Sequence, residues 1–243
     1  DASHYLMLLS QGDKALDRKD YATARRAFEQ ARKAKPGDAD ALIGLAGVAR
    51  GELNDIQAEA LLLQARKLEP GNASAVRALV RLYSAQSPEK AKAFLNSLPA
   101  ASQKEFASLR QGFELDELNQ LADTATARKD WPQVVALLSK IRNLTPDEPW
   151  LTYRLANAQR EINQPGAADD SFKQLIRRQG HNPEALYAYA LYLSGTERDA
   201  SALSALEQLP RPQWTEAMRE LGARLHRNVL VARAQSLREA GQE

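Results

Sequence analysis

The sequence contains no cysteine among its 243 residues. Disulfide bonds, thiol catalysis and cysteine-based zinc sites are therefore excluded, and the absence weakly favours an oxidising compartment. Aromatic residues make up only 6% of the chain, and no apolar run reaches the ~18 residues that a membrane-spanning helix needs. No charge predominates either, since 33 basic residues face 31 acidic ones. This balance argues against nucleic acid as a partner, because domains that bind it are usually strongly basic.

Motifs of enzymes are missing as well. The sequence has no HExxH, no GxxxxGK(S/T), no GxGxxG and no GxSxG. Its histidines, His4, His181 and His226, are scattered along the chain and are predicted to be solvated surface residues. We therefore expect no catalytic residue, no metal site and no cofactor.

What the sequence does contain is a repeat of 34 residues. Pro36 and Pro70, each followed by glycine, are 34 residues apart, and apolar residues recur at fixed offsets before them. Within each half of a repeat the offsets are three and four, as on one apolar face of an α-helix. The pattern predicts pairs of antiparallel helices, A and B, with small residues where A meets B and a large residue of helix B facing the next pair. The large residues are Phe28, Leu62, Leu138 and Phe172.

The spacing of the repeats is interrupted twice. Residues at the position of Gly12 follow one another at steps of 34, 34, 42, 34, 34 and 44 residues. The near-identical tetrapeptides RKDY (18–21) and RKDW (128–131) mark the same turn in the first and fourth repeats. We therefore expect repeats one to three at 1–99, an inserted segment at 100–116, repeats four to six at 117–210, and at 211–243 a second insertion with the first helix of a further repeat. The third and sixth repeats are degenerate.

The first insertion is predicted to act as a hinge. It forms either one elongated helix or a short extra helix joined to the next helix A at Arg110, Gln111 and Gly112. Neighbouring repeats on either side of an insertion no longer stack in the standard relation. We therefore expect the array to bend or flex at this point.

The repeat resembles the tetratricopeptide repeat, a 34-residue unit of two antiparallel helices with these small and large positions and a closing proline. The resemblance implies an all-α fold, a right-handed α-solenoid interrupted by extra helical segments near 100–115 and 211–225. In such an array the concave surface is lined by helix A positions just beside the core stripe. Carried onto this sequence, these positions give a basic set, Arg50, Arg77 and Arg81, and an aromatic and polar set, Trp150, Tyr153, Asn157, Arg160 and Tyr187.

The two sets predict different ligands. The basic set would attract acidic groups such as a carboxylate tail. The aromatic set places amphipathic rings beside amide and guanidinium donors, which suits a peptide or a sugar. Packing of Trp150 and Tyr153 on the preceding repeat is the alternative interpretation of the second set.

Three whole segments carry a closer resemblance. They are LEPGNASAVRALVRLY, WLTYRLANAQRE and QWTEAMRELGARLHR, and they are similar to the periplasmic N-terminal repeat region of the bacterial cellulose synthase operon protein C family. The resemblance implies a non-catalytic scaffold that spans the periplasm and links synthase components to an outer-membrane exit barrel. Cellulose and cell-wall components are further partners that it suggests. Asp1 would then lie near the mature N-terminus, and the chain would be the first part of the array.

A peptide-binding adaptor that recognises acidic or C-terminal motifs is the alternative function. A carboxylate clamp needs several basic or amide side chains on consecutive A helices. Arg50, Arg77 and Arg81 supply part of such a clamp. The first repeat offers Asp13 and Asp17 instead, which weakens this alternative.

Overall fold

The computed structural model describes residues 2–241, and the all-α prediction is confirmed. Across that range the chain forms fourteen α-helices and a short 3₁₀ turn but no β-strand. The helices divide into two compact units, Asp1–Phe113 and Glu114–Glu243. The division falls within the segment 100–116 that the sequence assigns to an insertion. Asp1, for which the sequence suggests a place near a mature N-terminus, lies outside the described residues.

The first unit is built from three helical hairpins, each with a helix A followed by a helix B. Helix A of each hairpin also contacts helix A of the next, so the hairpins stack as the repeat pattern predicts. A short seventh helix follows the third hairpin. These helices are α1 (Ala2–Asp17), α2 (Tyr21–Ala34), α3 (Asp40–Gly51), α4 (Asp55–Leu68), α5 (Ala73–Gln86), α6 (Pro88–Asn96) and α7 (Ala100–Glu105).

The second unit is also built from helical hairpins, and the first of them begins with the last part of a long helix. That helix serves as helix A of the fourth hairpin, because Ala122 packs in one apolar cluster with Leu138 of the following helix. Two further hairpins and a final long helix complete the unit. The helices are α8 (Ala107–Ala127), α9 (Trp131–Leu144), α10 (Pro149–Glu161), α11 (Pro165–Gln179), α12 (Pro183–Gly195), α13 (Asp199–Leu206) and α14 (Glu216–Ala240).

The turn from helix A to helix B has the same backbone in five hairpins. One residue takes a positive φ, which is uncommon for residues other than glycine and marks a sharp turn. In three hairpins the next residue caps helix B, since Asp20, Asn54 and Asp130 each accept a hydrogen bond from a backbone N–H three residues on. The positive-φ residues are Lys19, Leu53, Lys129, Asn163 and Glu197, with φ between 56° and 63°.

The large residue of helix B fills the space between two A helices. The ring of Phe28 on α2 lies so close to Gly12 of α1 and Gly44 of α3 that a Cβ at either glycine would overlap it. Glycine at these two positions therefore permits the ring to enter. The equivalent position in other repeats is held by Leu62, Leu138 and Phe172, each of which is at most 1% exposed. The predicted interlocking of small and large residues is confirmed.

The first insertion contains both a short extra helix and an elongated helix A. The junction between α7 and α8 lies at Phe106, and Arg110–Gly112 lie inside α8, so the predicted position of the junction was wrong. The physical reason is the burial of the Phe106 ring, which is 5% exposed and packs in the core of the first unit. Gln103 of α7 further fixes this segment by donating to the carbonyl oxygens of Asn96 and Leu98, both at 2.9 Å.

The second insertion is anchored in a similar way by an aromatic residue. After the 3₁₀ turn Arg211–Gln213, Trp214 is 6% exposed, and its Nε1 donates to the carbonyl oxygen of Leu209 at 2.7 Å. Gly222 of α14 faces this indole, where a Cβ would lie 2.7 Å from a ring carbon. From Glu216 onward, the inserted residues belong to the same continuous helix, α14, as the residues assigned to helix A of the next repeat.

Candidate functional site: the A-helix faces

The A helices of the first unit line an open cleft of about 450 Å³, here called the A-helix cleft. Its walls come from α1, α3 and α5, and two members of the basic set, Arg50 and Arg81, lie in them. The third member lies elsewhere, since the guanidinium carbon of Arg77 is 5.6 Å from the centre of the Phe106 ring. The structure therefore brings together two of the three arginines.

The two cleft arginines differ in how they are paired. Nε of Arg50 lies 3.9 Å from Oδ1 of Asp55, and both side chains are more than a third exposed. A long, solvated contact of this kind holds the guanidinium only weakly. Among the described residues, Arg81 forms no hydrogen bond or ion pair, and its side chain is exposed. Arg81 is therefore free to meet an anionic group.

Carboxylates also line the A-helix cleft. Burial and repulsion from Asp17 and Asp40 raise the pKa of Asp13 above its ordinary value. Burial and nearby acidic residues raise the pKa of Asp40 in the same direction. The raised pKa values mean that these carboxylates lack full compensation by neighbouring cations. The cleft thus presents both signs of charge rather than a basic surface.

Sequence reasoning missed Asp40 as a cleft residue. The signal was present, because Asp40 precedes Ala46 by six residues, as Trp150 precedes Ala156. Comparison of the same repeat position in every hairpin would have found it.

The three aromatic residues of the second set form one cluster in the second unit. The ring centre of Trp150 lies 5.6 Å from that of Tyr153 and 6.0 Å from that of Tyr187. The ring planes meet at 72° and 74°, so the contacts are edge to face. All three rings are half-buried against the core of the unit. Tyr153 and Tyr187 occupy the same repeat position on α10 and α12.

The indole of Trp150 is held by a residue that sequence reasoning did not name. Its Nε1 donates to Oε1 of Glu184, 34 residues further along the chain, at 2.7 Å. Packing therefore joins Trp150 to the following repeat, through both Glu184 and Tyr187. The equivalence of Trp150 and Glu184 in the repeat was a signal that could have linked them.

The polar members of the second set lie further along α10. The guanidinium carbon of Arg160 is 5.9 Å from the centre of the Tyr192 ring. Asn157 is half-buried. In the repeat, Asn157 and Arg160 occupy the positions of Arg81 and Arg50, so both units present polar groups at the same points of the A-helix face.

The proposed hinge residues lie within the second turn of α8. Nη1 of Arg110 donates to Oε1 of Gln103 at 3.2 Å, a bond that spans the junction between α7 and α8. Gln111 is half-buried. Gly112 is exposed, and a Cβ at this position would meet nothing within 4 Å. Of the three residues, Gly112 is therefore the one where helix propensity is lowest and packing is absent.

Across residues 2–241, no group of three or more histidine or acidic side chains is arranged to hold a metal ion. His4, His181 and His226 are exposed. None of the described helices combines the length and the apolar character needed to cross a membrane.

Comparison with protein families identifies the repeats. A family model described as "Tetratricopeptide repeat" matches residues 9–73 and 153–217, which together make up more than half of the chain. The chain belongs to the tetratricopeptide repeat family. Hairpin arrays of this kind typically provide extended surfaces for protein interaction rather than catalysis.

Curated relatives give a more particular similarity. The chain is 37% identical to "Cellulose synthase operon protein C" of Salmonella typhimurium over 99% of its own length and 20% of that protein. It is 36% identical to the protein of the same name from Escherichia coli, over 99% of the chain and 21% of that protein. The chain thus spans about a fifth of the length of the curated relatives it matches. The predicted resemblance is confirmed over this region.

A solved structure also shows similarity to the chain. PilF of Pseudomonas aeruginosa is 19% identical, and the match covers 92% of this chain and 98% of that one with a TM-score of 0.39.

Proposed function

We propose that the chain is a non-catalytic interaction scaffold in a cellulose export system. In this proposal the repeats lie in the periplasm, hold components of the synthase complex and link them to the outer-membrane exit of the glucan. Similarity to cellulose synthase operon protein C along nearly the whole chain supports the cellulose system. Membership of the tetratricopeptide repeat family supports the scaffold role.

The observation that carries the scaffold role is the mixed charge of the A-helix cleft. Arg81 forms no ion pair or hydrogen bond among the described residues, and Asp13 and Asp40 have raised pKa values. Leu9 and Ile43 contribute apolar wall between these charges. A protein segment that carries both acidic and basic side chains would satisfy both. The favoured occupant is therefore a charged segment of a synthase component.

The aromatic cluster supports a protein partner more than direct guidance of the glucan. A sugar polymer stacks best on rings that lie flat along a common surface. Trp150 and its two tyrosine neighbours meet at 72° and 74° instead, and the indole N–H already binds Glu184. Direct contact with the glucan through these rings is thus the weaker part of the proposal.

A peptide-binding adaptor is the second candidate. Its support is that Arg50 and Arg81 lie in the same cleft and could grip an acidic or C-terminal motif. The carboxylates of Asp13 and Asp40 in that cleft would repel such a motif. A purely acidic peptide is therefore a poorer fit than a segment with both charges.

Binding of the purified chain to a purified cellulose synthase complex, alongside sedimentation with insoluble cellulose, tests the proposal. The chain should bind the complex, and Arg81→Glu should weaken binding about tenfold by placing a third carboxylate in the cleft. Arg26→Glu, which makes the same charge change on an exposed helix B position, is the control. Equal losses in both variants, or binding to cellulose alone, would contradict the proposal.

A further inference from the structure

One repeat of the second unit has polar residues in its core. Thr152, Gln159 and Ser171 are 1%, 8% and 4% exposed, and they are the polar residues that the described core buries. One repeat later, the same positions hold residues that are equally buried and entirely apolar. Those residues are Leu186, Leu193 and Ala205. Polar groups in a core lower stability unless they find partners, so their concentration in one repeat calls for a local cause.

Two of these buried groups, Ser171 directly and Gln159 through Ser171, position an arginine from the preceding hairpin. Ser171 Oγ lies 3.0 Å from Oε1 of Gln159, to which it can donate its proton. Ser171 Oγ also accepts a hydrogen bond of 3.1 Å from Nη1 of Arg142, in the last turn of α9. Gln159 and Ser171 thus fix the position of the Arg142 guanidinium.

The arginine opens onto a cleft at the ends of two B helices, α9 and α11. The cleft has a volume of about 280 Å³, which suits a single small group. Its charged lining residues are both arginines, with no carboxylate among them. The polar lining residues are Arg142, Asn143, Thr152, Ser171, Gln174 and Arg178.

The two guanidinium groups are only weakly compensated by counter-charges. Within residues 2–241, Arg142 is half-buried and bonds to a neutral hydroxyl, with no carboxylate partner. Nη1 of Arg178 lies 3.8 Å from Oδ1 of Asp147, but both side chains are more than half exposed. A partly buried cation without a counter-charge is unfavourable, and an anion that enters its cleft relieves that cost.

The dipole of α9 explains a basic residue in its last turn. It does not explain two guanidinium groups that line one carboxylate-free cleft above a buried hydroxyl. We propose that this cleft binds an oxyanion, a carboxylate or phosphate group, through Arg142 and Arg178, with Asn143 and Gln174 as amide donors. The site is separate from the A-helix faces and does not depend on the proposed scaffold function.

Titration of the purified chain at constant ionic strength tests this site. Inorganic phosphate and acetate are added in separate experiments, and the side-chain Nε–H signals of Arg142 and Arg178 are followed by NMR. At least one anion should give saturable shifts at both arginines. Saturation by phosphate identifies a phosphate site, and saturation by acetate a carboxylate site. Shifts that fail to saturate with either anion would overturn the proposal.

Variants separate the cleft from general charge effects. Arg178→Gln should weaken anion binding about tenfold, the loss expected for one charge-assisted contact. Arg177→Gln is the matched control, because Arg177 is an exposed neighbour that does not line the cleft. Equal weakening in the two variants would overturn the proposal. Arg178 is exposed, so this comparison does not depend on a residue that the fold needs.

Discussion

The indole nitrogen of Trp150 donates a hydrogen bond of 2.7 Å to the carboxylate of Glu184, which lies 34 residues further along the chain. The two residues occupy the same position in consecutive repeats, at the first turns of α10 and α12. Because the spacing equals one repeat length, the bond joins neighbouring A helices directly. Together with the edge contact between Trp150 and Tyr187, it makes the candidate aromatic site part of the stacking of the repeats.

Trp150→Phe should lower the free energy of unfolding by about 1 kcal/mol, because an aromatic ring is kept while one charge-assisted hydrogen bond is lost. Chemical denaturation followed by circular dichroism measures the change. The double variant with Glu184→Ala should lose less than the sum of the two single changes, since each single change removes the same bond. Strict additivity would show that the bond contributes nothing to stability.

The ion pair between Arg198 and Asp169 predicts that the stability of the fold depends on pH. Arg198 donates to both oxygens of Asp169 at 2.9 and 3.0 Å, and these hydrogen bonds lower the pKa of Asp169 below its ordinary value of 3.8. A lowered pKa in the folded state means that the contact stabilises the fold above about pH 4 and that this contribution is lost as the pH falls further.

Asp169→Asn should therefore destabilise the chain by about 1–2 kcal/mol at neutral pH, with the difference from wild type shrinking below about pH 4. Asp170→Asn, at the exposed neighbouring residue, serves as the control. Thermal unfolding of the three proteins across the pH range measures both effects. A difference between wild type and Asp169→Asn that stayed constant at low pH would contradict the assigned role of the carboxylate.

The packing of helices in the first unit depends on glycine, which has no Cβ, at position 44. Gly44→Ala should destabilise the chain by about 1–3 kcal/mol, because the new methyl group would overlap the ring of Phe28. Gly37→Ala adds the same methyl group where nothing lies within 4 Å and should leave stability unchanged or slightly raised. Unfolding midpoints in denaturant measure both, and a Gly44→Ala protein as stable as wild type would refute the packing argument.

The hinge remains a prediction, and among the three proposed hinge residues we expect Gly112 to be the most flexible. Gly112 lowers helix propensity within α8 by about 1 kcal/mol relative to alanine, and no packing compensates for it. Because the chain has no cysteine, Gln57→Cys and Lys173→Cys provide two unique sites for spin labels. The distance distribution between them should be broad, and Gly112→Ala should narrow it. A narrow distribution in both proteins would contradict a hinge at this position.

Hairpins, turns and core positions were predictable because they follow from local spacing. The offsets around Phe28 repeat every 34 residues, and a period of three and four residues defines a helix face whatever lies opposite. The junction at Phe106 was less accessible, since the break depends on which ring the core of the first unit accepts. The acidic residues of the two candidate sites were hidden for another reason. Asp40 and Glu184 look like solvated helix ends until the facing A helix is in place.

The polar residues in the core of the fifth repeat could be found in the sequence, but their link to a cleft could not be inferred from it. Thr152 and Ser171 replace apolar residues of other repeats, yet single polar replacements are common on helix surfaces. Only the three-dimensional contact of Ser171 with Arg142 connects them to a cleft. Arrangements that depend on side chains from separate hairpins therefore need the structure, whereas the period of the hairpins does not.

In the proposed function, the A-helix faces hold a protein component of the cellulose synthase system. Photo-crosslinking in cells that make cellulose can test this function. A crosslinking amino acid replaces Arg81 or Asn157 on the A-helix faces. In control proteins it replaces Arg26 or Lys173, which are exposed on B helices. We expect crosslinks to a synthase component from the A-helix positions and none from the B-helix positions. Crosslinks to that component from the B-helix positions alone would contradict it.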